Sequence, residues 1–106
     1  MVHPLVPAAL LDGVIRTFDP VEVYLFGSRA RGDASEDSDY DLYVVVDDEG
    51  AEAKRTGKAI SAARRDFVGA VDMIIGRRSV FDTRRVQMGA LEEIVQFEGR
   101  RVYVRG

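Results

Sequence analysis

Two aspartates one residue apart, Asp39 and Asp41, stand at the head of an apolar run that continues Leu42-Tyr43-Val44-Val45-Val46. A glycine-serine pair, Gly27-Ser28, precedes them, and a third acid, Asp72, lies near the start of another apolar run, Ala70-Val71-Asp72-Met73-Ile74-Ile75-Gly76. β-Branched and aromatic residues mark the runs as strands. Side chains on a strand alternate between faces, so Asp39 and Asp41 point one way while Tyr40, Leu42, Val44 and Val46 point the other. Two carboxylates held together at about 4 Å repel by roughly 4 kcal/mol at a near-surface effective dielectric. A hard divalent cation offsets that repulsion, and oxygen donors suit magnesium or manganese. If the strand carrying Asp72 lies beside the one carrying Asp41, the three acids converge. Such a triad can hold metal for an in-line phosphoryl displacement, and Asp72 can also take the proton of an attacking hydroxyl.

The other half of the pattern is suited to anions. Val21-Glu22-Val23-Tyr24-Leu25-Phe26 reads as a strand, and Gly27-Ser28 ends it. Glycine permits positive φ and lets a backbone amide approach a ligand closely. Successive amides in such a turn, with a short helix behind them, cradle phosphate oxygens, and the Ser28 hydroxyl adds a donor. Arg29 and Arg31 can supply charge-assisted hydrogen bonds to the same oxygens. Phosphate donors so close to metal-binding carboxylates fit a nucleoside triphosphate with its magnesium. Each feature alone has a plainer reading: solvated acids at a strand start, an Asp capping a turn, surface arginines. Their combination favours the metal-triphosphate site. Asp33, Glu36 and Asp37 read as a solvated loop that shapes it. The basic pairs Arg77-Arg78, Arg84-Arg85 and Arg100-Arg101 read as solvated faces, and Tyr24, Tyr40, Tyr43 and Tyr103 as packing residues.

The elements that must position these groups alternate helix and strand. Pro7 sets a helix start, and Leu11, Val14, Ile15 and Phe18 recur at helical spacing until Asp19-Pro20 ends it. The strand 21–26, the glycine-serine turn and the strand 40–46 follow. A helix is expected over about 51–67, with Ala53, Gly57, Ile60, Ala63 and Phe67 as its inner stripe and Gly69 just past its end. After the Asp72 strand, Ser79 can cap a last helical region that includes Leu91, Ile94 and Val95, which Gly99 stops. Arg101-Val102-Tyr103-Val104 reads as a short terminal strand. The pattern predicts an α/β (α+β) fold, a small mixed sheet with helices packed mainly on one face, as a single domain over 1–106.

Composition narrows the function. The chain has 106 residues, 46% of them apolar and 31% charged, enough for one core but too few for two domains. It has no cysteine and one histidine, His3, so thiolate zinc sites, disulfides and a serine–histidine–aspartate triad are excluded. No apolar run approaches the roughly 20 residues of a membrane span, and no signal peptide is expected. A cytoplasmic location is the expectation. The formal net charge of -3 argues against broad nucleic-acid binding.

The stretch Gly27-Ser28-Arg29-Ala30-Arg31-Gly32-Asp33, followed by Asp37-Ser38-Asp39-Tyr40-Asp41-Leu42, closely resembles the signature of the DNA polymerase beta-like nucleotidyltransferases. The short length and the Ala-Arg-Gly-Asp continuation are similar to the minimal nucleotidyltransferase branch, and the resemblance covers essentially the whole chain. It implies the nucleotidyltransferase fold, triphosphate binding at Gly27 and Ser28, metal binding at Asp39 and Asp41, and a triad completed by Asp72. It also implies a HEPN-family toxin as partner, with this chain as antitoxin transferring adenylyl groups from ATP to a tyrosine of the toxin. A homo-oligomer is a further option, because so short a chain must borrow its acceptor site from a partner or a second copy. Two other functions compete: a binding module that masks its partner without catalysis, and a small-molecule transferase. The intact triad argues against the first, since a binding module has no need of three mutually repelling acids. Brevity argues against the second.

Overall fold

The computed structural model describes residues 3–106. The chain runs α1 (Ala8–Phe18), β1 (Glu22–Phe26), α2 (Ser28–Arg31), β2 (Tyr40–Val46), α3 (Ala51–Lys54), α4 (Gly57–Ala63), β3 (Val71–Arg77), α5 (Arg78–Arg84), α6 (Leu91–Glu98) and β4 (Arg100–Val104). The four strands form one mixed sheet in the order β3-β2-β1-β4. β1 is antiparallel to both β2 and β4, while β2 and β3 run parallel. Parallel neighbours need a long crossover, and α3 and α4 supply it.

This topology brings the chemistry to one end of the sheet. Because β1 runs against β2, its last residue, Phe26, pairs with Asp41 near the start of β2. Because β2 and β3 run together, Asp41 pairs with Asp72 near the start of β3. One row across three strands therefore reads Phe26, Asp41, Asp72, with Gly27 one step beyond.

The larger core lies on the opposite face. There α1 and α4 cover Val23, Leu25, Leu42, Val44 and Val46, with Leu10, Leu11, Val14 and Phe18 from α1 fully buried. On the other face α5 and α6 close a smaller core of Tyr24, Tyr43, Val45, Phe81 and Val95. The terminal strand finds its place as β4, an edge beside β1. α1 ends at Asp19, which adopts the left-handed conformation ahead of Pro20.

Two helical segments differ from the sequence pattern. The helix expected over 51–67 is broken into α3 and α4 at Arg55–Thr56. Thr56 caps α4 by accepting from the Ala59 N–H at 3.1 Å, and Arg55 leaves the helical line to donate to the Ile75 carbonyl at 3.0 Å. Threonine favours such a cap over a helix interior. The inner stripe shifts accordingly. Ala53 and Gly57 are exposed, Ala51 and Ala63 are buried, and Ala59, Ile60 and Phe67 pack at the core's margin. The last helical region is likewise two helices, α5 and α6. Ser79 lies inside α5 and caps nothing with its side chain; its N–H is taken by Asp48 Oδ1 at 3.0 Å. The Ser79 side chain and, next to it, this N–H hold the Asp48 carboxyl below its ordinary pKa.

Candidate active site

Asp41 is the centre of the constellation. It is half-buried at the start of β2, in register with Asp72 on β3, and two residues after Asp39. Burial pushes its carboxyl pKa up, the charges of Asp72 and Asp39 push it further, and Arg31 opposes them. Those three influences fix the electrostatics: a partly desolvated acid, two like charges beside it, and one cation that compensates only in part. Asp39 and Asp72 are exposed. Asp39 lies one residue ahead of β2, where the Tyr40 N–H donates to the Ala70 carbonyl at 3.1 Å and ties the two strand starts together.

Gly27 borders the same spot. Its φ of 74° and ψ of -158° belong to a region that residues with a Cβ avoid. A Cβ built on it would overlap the Asp41 carboxylate. Glycine is thus required twice, for the backbone turn and for room beside the acid. α2 starts directly behind it, and the N–H groups of Ala30 and Arg31 both bond the Gly27 carbonyl at 3.1 Å. The N–H groups of Ser28 and Arg29 precede that ladder and have no backbone acceptor among the described residues.

The two arginines are placed differently. Arg29 Nε donates to the Ser38 carbonyl at 3.0 Å and a terminal nitrogen to the Glu36 carbonyl at 3.2 Å. Its guanidinium lies 3.9 Å from the centre of the Tyr40 ring. It therefore clamps loop 32–39, the segment that delivers Asp39 and Asp41. Arg31 pairs with Asp33 at 3.3 Å on the surface and lowers the Asp41 pKa through space.

The donor set fits a hard divalent cation. It consists of carboxylate oxygens alone, and their mutual repulsion is registered in the raised Asp41 pKa. Among the described residues no three His, Cys, Asp or Glu side chains are gathered closely enough to hold an ion by themselves. Magnesium does not demand a closed protein cage. It keeps several waters and uses one or two carboxylates together with substrate phosphates.

The family model described as the nucleotidyltransferase domain matches residues 8–103. The chain belongs to that family. Its fold is shared with a candidate nucleotidyltransferase from Sulfolobus solfataricus, at a TM-score of 0.55 and 26% identity over 91% of this chain and 75% of that one. A toxin–antitoxin structure with AMP-PNP aligns at a TM-score of 0.52 and 20% identity, over 91% of this chain and 72% of that one. A mutant of the MntA–HpeT toxin–antitoxin aligns at 0.51 and 16% identity, over 94% of this chain and 75% of that one. At those identities the last two speak for the fold alone. Among curated proteins no match was found.

The nucleotidyltransferase fold here depends on groups that the motif does not contain. Tyr43, on the same face of β2 as Asp41, is buried and donates to Glu92 Oε2 at 2.9 Å, while Arg84 donates to Glu92 Oε1 at 2.8 Å. Burial pushes the Glu92 carboxyl up, yet the bonds from Arg84, its own N–H and Tyr43 outweigh that and leave it below its ordinary pKa. The Tyr43 hydroxyl is raised by its burial and by Glu92. Gly76 makes the space, since a Cβ there would overlap the Tyr43 hydroxyl. This network seats α5 and α6 on the face that carries Asp41. Strand alternation in the sequence places Tyr43 on that face, but nothing local announces that Glu92 is buried.

Proposed function

We propose that the chain is a magnesium-dependent nucleotidyltransferase that moves AMP from ATP to a hydroxyl, and that the hydroxyl belongs to a tyrosine of a HEPN-family toxin whose antitoxin it is. The observation that carries the reading is the row Phe26–Asp41–Asp72 with Gly27 cut away to admit the Asp41 carboxylate. Two fold neighbours that are toxin–antitoxin structures support the setting.

In this reading the Gly27–Ser28 turn holds the triphosphate tail on the β1 side, and Arg31 adds positive charge there. Arg29 acts on the site by holding loop 32–39. Asp39 and Asp41 would hold magnesium, with manganese as a substitute, and Asp72, in register with Asp41, stands beside them. A magnesium ion held there would neutralise charge on the phosphates and on the pyrophosphate leaving group. The acceptor oxygen forms a bond to the α-phosphorus, the bond from that phosphorus to the bridging oxygen breaks, and pyrophosphate leaves. The hydroxyl proton passes to Asp72. The raised pKa of Asp41 belongs to the metal-free protein, and a bound cation reverses it.

The test is incubation with magnesium and each α-labelled nucleoside triphosphate, alone and with a HEPN-type partner. Label on the partner's tyrosine from ATP, abolished by EDTA, supports the reading. Complex formation that neutralises the toxin with no label transferred refutes the catalytic part in favour of a masking antitoxin.

A further inference from the structure

Val86 and Met88 between α5 and α6, and Ile94 and Phe97 on α6, are large apolar side chains left in water. Phe97 is 88% exposed and Met88 95%. Single exposed apolar residues are ordinary, but a gathering of them marks a contact surface. On α6 the surface has a shape. Glu93 and Phe97 form one i, i+4 ridge, Ile94 and Glu98 form the next, and a groove of about 310 Å³ lies along them. Grooves between such ridges are where a ridge of a second helix seats.

The charges choose that helix. Ile94 and Phe97 occupy the middle of the groove, and a glutamate closes each end. Glu93 accepts the Gly89 N–H at 3.4 Å, and neither glutamate is ion-paired among the described residues. A second copy on a two-fold axis would set glutamate against glutamate, whichever way the two helices ran. A helix whose apolar ridge ends in lysine or arginine instead meets apolar surface with apolar surface and each carboxylate with a cation.

The groove also has a place relative to the acids. α6 packs on the Tyr24–Tyr43 face of the sheet, the face that carries Asp41. Its C-terminal end reaches the end of the sheet where the acids lie. A Cβ on Gly99 would crowd the Leu25 carbonyl, and Arg100 pairs with Leu25, one residue before the Phe26–Asp41 pair. A helix that runs along α6 past Phe97 therefore leads toward Asp41 on the face its carboxylate shares.

Resting on the transferase reading for what is delivered, we propose that the α6 groove docks a helix of the acceptor protein, one whose apolar ridge is flanked at both ends by lysine or arginine. Docking there brings that protein's hydroxyl to the acids.

Binding tests this without turnover. Two stapled helical peptides share one leucine ridge, ended by lysines in one and by glutamates in the other. They are titrated against the full chain with magnesium and a non-hydrolysable ATP analogue. The lysine helix should bind about tenfold tighter, the worth of two exposed charge pairs. Phe97→Ser should weaken it about tenfold or more, as loss of an aromatic anchor does. Glu98→Lys should bring the two peptides to near-equal binding. Phe97 and Glu98 are exposed, so melting temperatures and magnesium–ATP binding should stay those of the wild type. Equal binding of the peptides to the wild type, binding of neither, or binding that Phe97→Ser leaves unchanged overturns the proposal. So does a chain that sediments as a dimer and becomes a monomer with Phe97→Ser, since the groove then holds a second copy. With a HEPN-type partner in the labelling experiment, Phe97→Ser should raise the KM for the partner and leave kcat. Transfer indifferent to Phe97→Ser overturns the groove and leaves the transferase reading standing. The expected peptide binding with no transfer to the partner refutes the transferase reading and leaves the groove standing.

Discussion

Asp41→Asn separates a metal-binding acid from a structural one by the sign of its effect. The substitution keeps the shape of the side chain and removes one charge. Asp41 faces Asp72 across one strand spacing, about 4.8 Å. At an effective dielectric near 20, two unit charges at that distance repel by about 3 kcal/mol. Asp39 and Asp72 are both exposed, so water and counterions screen most of it, and about 1 kcal/mol remains. No hydrogen bond is among the influences on the Asp41 carboxylate, and only Arg31 attracts it, through space. The metal-free variant should therefore be as stable as the wild type or more stable by about 1 kcal/mol, which for a domain of this size raises the melting temperature by a few degrees. Magnesium with ATP should stabilise the wild type by mass action and leave the variant unmoved. Differential scanning fluorimetry of both proteins, with EDTA and with magnesium–ATP, reads all four values. Since most substitutions destabilise, a stabilising loss of function is informative. A variant that melts well below the wild type in EDTA, yet responds to magnesium–ATP as the wild type does, refutes the reasoning.

Other consequences can be checked in the same preparations. Gly27→Ala forces a Cβ onto the Asp41 carboxylate at a positive φ, so it should cost about 1–3 kcal/mol in denaturant melts and abolish ATP binding by calorimetry. Arg29→Ala frees loop 32–39, so amide exchange there should quicken and the KM for ATP should rise while α1 and α4 keep their protection. Tyr43→Phe removes one donor from buried Glu92 and should destabilise by about 1–2 kcal/mol, with a larger loss for Gly76→Ala, which drives the Tyr43 ring out of place. The pH profile carries opposite signs from two acids. Asp41, raised above 3.8, makes the metal-free protein lose stability as pH rises from that value through its folded pKa; Glu92, lowered below 4.5, contributes stability above 4.5 that is lost as pH falls through its folded pKa. Denaturant melts of Asp41→Asn and Glu92→Gln between pH 2 and 7 should each lack one of these slopes.

The sequence by itself determined the strands and the glycine-serine turn and acids at their ends, because all of these are local. Alternation along Tyr40–Val46 sets which face Asp41 shares with Tyr43, and the run of β-branched and aromatic residues needs no distant partner to declare itself. The Gly27-Ser28 turn and the acids are legible because few other arrangements explain glycine, hydroxyl and carboxylates at that spacing. The break at Thr56 and the gap between α5 and α6 were hidden, since a helix interior and a cap accept the same residues and tertiary partners choose between them. Arg55 is drawn off to Ile75, and Asp48, thirty-one positions before Ser79, takes the N–H at the start of α5. The role of Arg29 was hidden for the same reason. A guanidinium suits a phosphate or a pair of carbonyls equally well, and the fold of loop 32–39 places two carbonyls and the Tyr40 ring within its reach. Tertiary structure alone decided that Asp72 stands beside Asp41. Strand pairing is a long-range choice, made when the α3–α4 crossover lays β3 parallel to β2 and so sets two like charges side by side at the end of the sheet where β1 delivers Gly27.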